Sequence, residues 1–310
     1  MKKLNIIFPV AILVILIVSL TAKDITEFRV FAIKGNLQVQ KPGASGWNSL
    51  KAGMELASND VVKVSQNGYV SLSYIKGGIV ELVEGTYKVK DLVKQAGSKK
   101  SNISGRLTNY IVGELGGATN LAGKKTKNLS DVPGAVERGL PTMNKANEIG
   151  ISFPRKTSLI SPNVTLTWQP VEGVEKYEFY LYDKFDREML MKTTPKSELT
   201  LDLINDIKLN RDSNYFWVVK ASDKPQFSSE KASIRLLSDN KIASLNDTLK
   251  VLEEEISGLE SSLKNVILGK FYENHELAVD AKKYYQAAVQ LSPDIEEYKQ
   301  VLNNFIAKNH

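Results

Sequence analysis

The sequence predicts a multidomain chain in which an all-β module and a β-sandwich precede an α-helical region. Three observations predict it. At 310 residues the chain exceeds one ordinary domain. Two stretches, 24–92 and 158–237, carry β-branched and aromatic residues in short alternating runs punctuated by Gly and Asn. Beyond residue 238 the apolar spacing changes to three and four, the helical period.

The first element is a leader over 1–23. Lys2 and Lys3 precede an apolar run from Leu4 to Leu20. A short basic start followed by an apolar stretch directs export. The run is intermediate between a signal core and a full span, so it reads either as a signal cleaved after Ala22 or as a retained tether through residues 4–20. Both place later residues outside the cytoplasmic membrane, in the periplasm or cell envelope.

In the first β-module, Gly35-Asn36 separates Arg29–Ile33 from Leu37–Val39, and Gln66-Asn67-Gly68 separates Val61–Val64 from the alternating Val70, Leu72 and Tyr74. Gly77-Gly78 leads to Ile79–Val83, and Tyr87–Val89 closes the set. The order Gly35-x-Leu37-x-Val39, Trp47-x-x-Leu50-x-x-Gly53, Asn59-Asp60-x-Val62, Gly68-x-Val70-x-Leu72 and Gly78–Leu82 resembles the periplasmic FecR-type domain. That resemblance implies a module that senses transport and signals to a cytoplasmic sigma factor. Only Met1, Lys2 and Lys3 precede the apolar run here, so the expectation is the outer module without the signalling output.

Residues 93–157 read as a basic linker. Thirteen Lys or Arg face five acids over 86–156, a local charge of +8 within a chain of +6. Attraction to an anionic surface is one reading and a solvated linker the other. Aromatic residues for base stacking are nearly absent, which argues against nucleic acid. Ile103, Leu107, Tyr110, Ile111 and Leu115 mark one embedded helix or strand.

Over 158–237, Val164, Leu166 and Trp168 alternate, as do Tyr177, Phe179 and Leu181. Alternation turns one face to a core and the other to water. The patterns Thr165-Leu166-Thr167-Trp168-x-Pro170-x-x-Gly173-x-x-x-Tyr177 and Leu209-x5-Tyr215-x-Trp217-x-Val219 resemble the fibronectin type III sandwich. The resemblance implies core roles for Trp168 and Tyr177 and a Tyr215 hydroxyl bonded back to the chain.

The last element spans 238–310. Ile242, Leu245, Leu249, Leu252, Ile256, Leu259, Leu263 and Val266 form a coiled-coil seam through which two copies could pair. Leu268, Gly269, Tyr272, Ala281, Tyr285, Ala288 and Pro293 follow at spacings that resemble one tetratricopeptide unit, with Glu296–Ile306 as a capping helix. One repeat leaves a face uncovered. The expectation is that the 242–266 helix or a second copy of the chain covers it.

Chemistry is sparse. Cysteine is absent, and the sequence places neither of the two histidines, His275 and His310, beside a Ser and an Asp, so no catalytic site, metal site or cofactor is expected. Gly117–Lys124 lacks both the glycine spacing and the hydroxyl of a phosphate loop. The sequence therefore points to an exported non-enzymatic scaffold that binds envelope proteins or wall polymer. The alternatives are a FecR-like sensor lacking the cytoplasmic region, and a wall-associated carbohydrate binder or hydrolase using carboxylates and Trp47.

Overall fold

The computed structural model describes residues 25–97, 103–121 and 147–309. The leader and its apolar run lie outside them, as do 98–102 and 122–146 of the expected linker. Among the described residues no helix is long and apolar enough to cross a membrane.

The first module holds β1 (Thr26–Lys34), β2 (Leu37–Gln40), β3 (Asn48–Ser49), β4 (Glu55–Ala57), β5 (Val61–Val64), β6 (Tyr69–Tyr74), β7 (Ile79–Leu82) and β8 (Gly85–Lys88). They form two four-stranded sheets, ordered β4-β1-β6-β7 and β3-β2-β5-β8. Alternate positions of both sheets meet in one core, with Val30, Val70 and Leu72 from the first and Val39, Val62 and Val64 from the second. The two turns flagged by glycine touch. Gly35 sits at φ +83, and a Cβ there would lie 3.3 Å from Gly68 Cα.

Two helices follow, α1 (Val89–Gly97) and α2 (Ile103–Leu121). The basic linker expected over 93–157 is thus helical over much of its described part. Leu107, Ile111, Val112 and Leu115 of α2 are buried in a stripe. Gly105 and Gly113 lower intrinsic helix propensity by about 1 kcal/mol each, and packing overrides this. A Cβ on Gly105 would stand 2.5 Å from Gly78 N, so the glycine lets α2 lie directly on the β6–β7 turn.

The second β-unit starts earlier than residue 158. It contains β9 (Ile151–Phe153), β10 (Lys156–Leu159), β11 (Asn163–Trp168), β12 (Tyr177–Tyr182), β13 (Glu188–Thr194), β14 (Glu198–Asp202), β15 (Asn214–Ala221) and β16 (Ala232–Leu236). Two sheets, β14-β11-β9 and β10-β16-β15-β12-β13, face each other. The chain changes sheet at Pro154, between β9 and the parallel β10–β16 pair. Trp168 and Tyr177 meet edge-on at 5.7 Å, and Phe179 stacks on Trp217 at 5.8 Å. The Tyr215 hydroxyl accepts from Asn210 N at 2.8 Å.

The C-terminal helices are α3 (Asp239–Ile256), α4 (Ser261–Asn274), α5 (Ala278–Leu291) and α6 (Glu296–Asn309). The seam expected as one helix over 242–266 is broken. A turn at 257–260 divides it, and Glu260 caps α4 by accepting from Ser262 N at 2.7 Å and Leu263 N at 3.3 Å. Leu245, Leu252, Ile256, Leu263 and Val266 are all buried within the chain, so these seam positions are spent internally and not offered to a second copy. A three-four period is the same whether the covering helix comes from another chain or, as here, from α2.

The α4–α5 hairpin packs closely. Ala281 and Ala288 are fully buried, a Cβ on Gly269 would meet the Tyr285 ring at 2.5 Å, and Tyr272 stacks on Tyr284 at 5.1 Å. Leu268 is half-buried, and exposed Pro293 follows the end of α5. Its open face is covered by α2, α6 and both β-units. Phe31, Ala32 and Ile79 of the first module enter the helical core, with Phe153 and Ile160 packed against it from the second. Polar bonds seal the joints. Lys34 Nζ pairs with Asp294 at 2.7 Å, Glu260 N donates to Glu81 at 3.0 Å, Ser158 N donates to Glu276 O at 2.7 Å, and Ala278 N donates to Thr157 Oγ1 at 3.0 Å. The helical region is a central block holding the two β-units.

Candidate interaction surface

Among the described residues, no group of three or more His, Asp or Glu side chains is placed to hold a metal. The charged cluster nearest to a site lies between α2, α4 and α6. Lys270 is 1 % exposed and donates to Glu114 at 3.0 Å and Glu273 at 3.1 Å. Lys308 reaches Glu114 at 2.6 Å, and the Tyr285 hydroxyl donates to Glu273 at 2.7 Å. Burial works to raise the Glu114 carboxyl, but the hydrogen bonds from Lys308 and Lys270 win and hold it below the usual glutamate value. The adjoining cavity, about 10 Å³ beside Glu114 and Phe305, is barely room for one water. This cluster fastens helices together and has no space for a substrate.

The outer face of the five-stranded sheet carries a row of aromatic and apolar side chains. On β12 the inward positions Tyr177, Phe179 and Leu181 fill the core, and the outward positions include Tyr180 and Tyr182. Register places Met191 beside Tyr180 on one side and Val218 on the other, with Phe216 beside Tyr182. Tyr180 and Tyr182 stack at 6.2 Å with 13° between planes. Lys220 Nζ lies 4.9 Å from the Tyr180 ring centre, and Lys231 Nζ 6.0 Å from that of Tyr182. The Tyr180 hydroxyl donates to Glu178 Oε2 at 2.6 Å, which with burial pushes its pKa up to about 12 and keeps the ring neutral.

The β12–β13 turn presents Phe185, which is 67 % exposed. Asp183 fixes this turn by accepting from Phe185 N at 2.8 Å, Arg187 N at 3.0 Å and Arg187 Nε at 2.8 Å. Met189 and Met191 on β13 are 41 % and 44 % exposed. Phe185, Met189 and Met191 thus stand proud of a rigid frame, the arrangement that supplies binding hot spots. The free edge of β13 itself is guarded. A register shift falls between Leu181 and Tyr182, and Lys192, opposite core-facing Phe179, reaches Asp206 at 3.1 Å. Bulges and inward charges of this kind oppose strand-to-strand pairing.

Of the residues singled out by sequence, Trp168, Tyr177 and Tyr215 lie in the sandwich core, and Gly269, Tyr272, Ala281, Tyr285 and Ala288 lie in the helical core. None reaches this face. Trp47 is on the first module, with Lys63 Nζ 5.8 Å from its ring centre. Sequence reasoning missed Tyr180, Tyr182, Met191 and Phe216. The available signal was the run Tyr177–Tyr182, in which two of the outward positions are aromatic where a solvated face carries polar residues.

No family model matches the chain, and no curated protein matches it. Among solved structures, the chicken CNTN1 FN1-FN3 domains align at 11 % identity and a TM-score of 0.22, covering 69 % of this chain and 55 % of that one. A structure titled "Cytokine receptor complex - Crystal form 1A" aligns at 11 % identity and a TM-score of 0.20, covering 69 % and 100 %. The chain spans just over half the length of the first. Similarity at this level carries no argument about fold or function.

Proposed function

We propose that this protein is an exported, non-enzymatic envelope scaffold that docks a partner protein on the outer face of its five-stranded sheet. The first module is read as FecR-type and the second as a fibronectin type III-like sandwich. The strand order β16-β15-β12-β13 opposite β14-β11-β9 is compatible with the latter. Export rests on Lys2, Lys3 and the apolar run Leu4–Leu20.

One observation carries the docking role. Met191 is exposed beside Tyr180 of the Tyr180–Tyr182 stack, and Phe185 and Met189 are exposed on the adjoining turn and strand, on a sheet whose other face is a packed core. Such a face costs little conformational entropy on binding, because the frame beneath it is already ordered.

The test compares the full chain with its Tyr182→Ala/Phe185→Ala/Met191→Ala variant as bait in envelope extract, followed by titration of the recovered protein. The partner bound by the parent chain is expected to bind the variant at least about thirtyfold more weakly, as for loss of one hot spot. Equal affinity for the two baits would remove this face from the proposal.

A further inference from the structure

The geometry points to a second site: a cleft for a small organic anion with a short apolar stem, where the sandwich meets the helical block. It is independent of the docking face. The cleft, about 280 Å³, opens between β16, α3 and the α4–α5 turn. That volume is near the lower end for small-ligand pockets, about 300 Å³, so the occupant is small.

Three elements each supply one cation or imidazole. Arg235 comes from β16, Lys241 from α3 and His275 from the turn after α4. Leu237 and Leu245 form the apolar wall. The Arg235 guanidinium is aimed by bonds to Ser158 Oγ at 2.9 Å and Glu276 Oε2 at 3.3 Å. His275 Nδ1 lies 2.7 Å from Phe271 O. A carbonyl only accepts, so Nδ1 carries the hydrogen and Nε2 is the ring nitrogen left for a ligand.

The nearby acids are already engaged. Glu276 is shared by Lys156 at 2.8 Å and Arg235, and Asp212 takes Ser238 N at 3.1 Å and Lys241 Nζ at 3.1 Å. The Lys156 bond holds the Glu276 carboxyl below its usual range, and the Ser238 bond does the same for Asp212. Lys156, Arg235 and Lys241 set against Glu276 and Asp212 leave one positive charge over, which a bound anion would neutralise. A carboxylate or phosphate monoester would lie against Arg235 and Lys241, with its stem on Leu237 and Leu245.

Calorimetric titration of the full chain tests this with hexanoate and hexyl phosphate, against hexanol, which lacks the charge, and inorganic phosphate, which lacks the stem. Saturable binding of at least one stemmed anion is expected, and the tighter of the two assigns the head group. Lys241→Gln and Arg235→Gln should each weaken it about tenfold. Thermal melts check that the variants fold, and exposed Lys241 keeps the test decisive if Arg235→Gln does not. Three results would overturn the inference: no binding of either stemmed anion in the millimolar range, equal binding of hexanol or inorganic phosphate, or unchanged affinity in folded Lys241→Gln.

Discussion

Replacing Lys270 with alanine lowers the unfolding free energy at neutral pH by about 3–5 kcal/mol. Its ammonium is buried between Glu114 of α2 and Glu273 of α4, at 3.0 and 3.1 Å. Without it the two carboxylates keep only Lys308, which reaches them at 2.6 and 3.6 Å, and the Tyr285 hydroxyl. Two like charges then share a poorly solvated joint. The triple variant Lys270→Met/Glu114→Gln/Glu273→Gln removes the three buried or half-buried charges together and recovers most of the loss, because the ion left without a carboxylate, Lys308, is half-exposed and solvated. Chemical denaturation of the three proteins measures both effects. A Lys270→Ala loss under about 1 kcal/mol, the level of an exposed pair, would contradict the assignment.

The cluster also sets a pH signature. The folded-state pKa of Glu114 is depressed. Its contribution is therefore present above the ordinary glutamate value of about 4.3 and fades as pH falls through the lowered folded value. Burial works to lower Lys308, but its bond to Glu114 and the charge of Glu273 hold it above the ordinary lysine value. That contribution is present below about pH 10.4 and fades as pH rises through the raised value. Half-buried Asp280 and buried Glu297 are shifted upward, so acid favours them and partly offsets the loss from Glu114.

Gly105→Ala and Gly113→Ala, eight positions apart on α2, are expected to move stability in opposite directions. A Cβ at 105 would stand 2.5 Å from Gly78 N and 2.8 Å from Gly77 Cα. Both are backbone atoms, so α2 must lift from the β6–β7 turn, at a cost of about 1–3 kcal/mol. At 113 a Cβ meets nothing within 4 Å, and alanine gains up to about 1 kcal/mol of helix propensity. Thermal melts should shift down for the first and up for the second. A shift of the same sign in both would mean that α2 does not lie on that turn.

The sandwich was legible where one strand carries several alternating positions. Val164, Leu166 and Trp168 gave one strand, and Tyr177, Phe179 and Leu181 another, and all six are buried. Its start was not legible, because β9 and β10 are three and four residues long and Pro154 breaks the pattern between them. Over α2, glycines and neighbouring lysines hide a stripe of four buried apolar residues, which packing against α3, α4, α6 and the first module stabilises. The hairpin residues Gly269, Ala281 and Ala288 could be picked from their spacing because close helix approach demands small side chains. What covers the hairpin could not, since period reports that a face is apolar and not which neighbour buries it. The docking face escaped because Tyr180 and Tyr182 alternate in register with core residues, and strand period alone does not say which side is inward.

The helical block locks the two β-units into one body. Because the chain has no cysteine, Lys51→Cys on the first module and Glu175→Cys on the second provide two unique, exposed spin-label sites. Pulsed electron–electron double resonance between them should give a single narrow distance in the full chain. The same pair should give a broad distribution once residues 238–310 are deleted. A broad distribution in the full chain, or an identical one with and without the helices, would contradict the account.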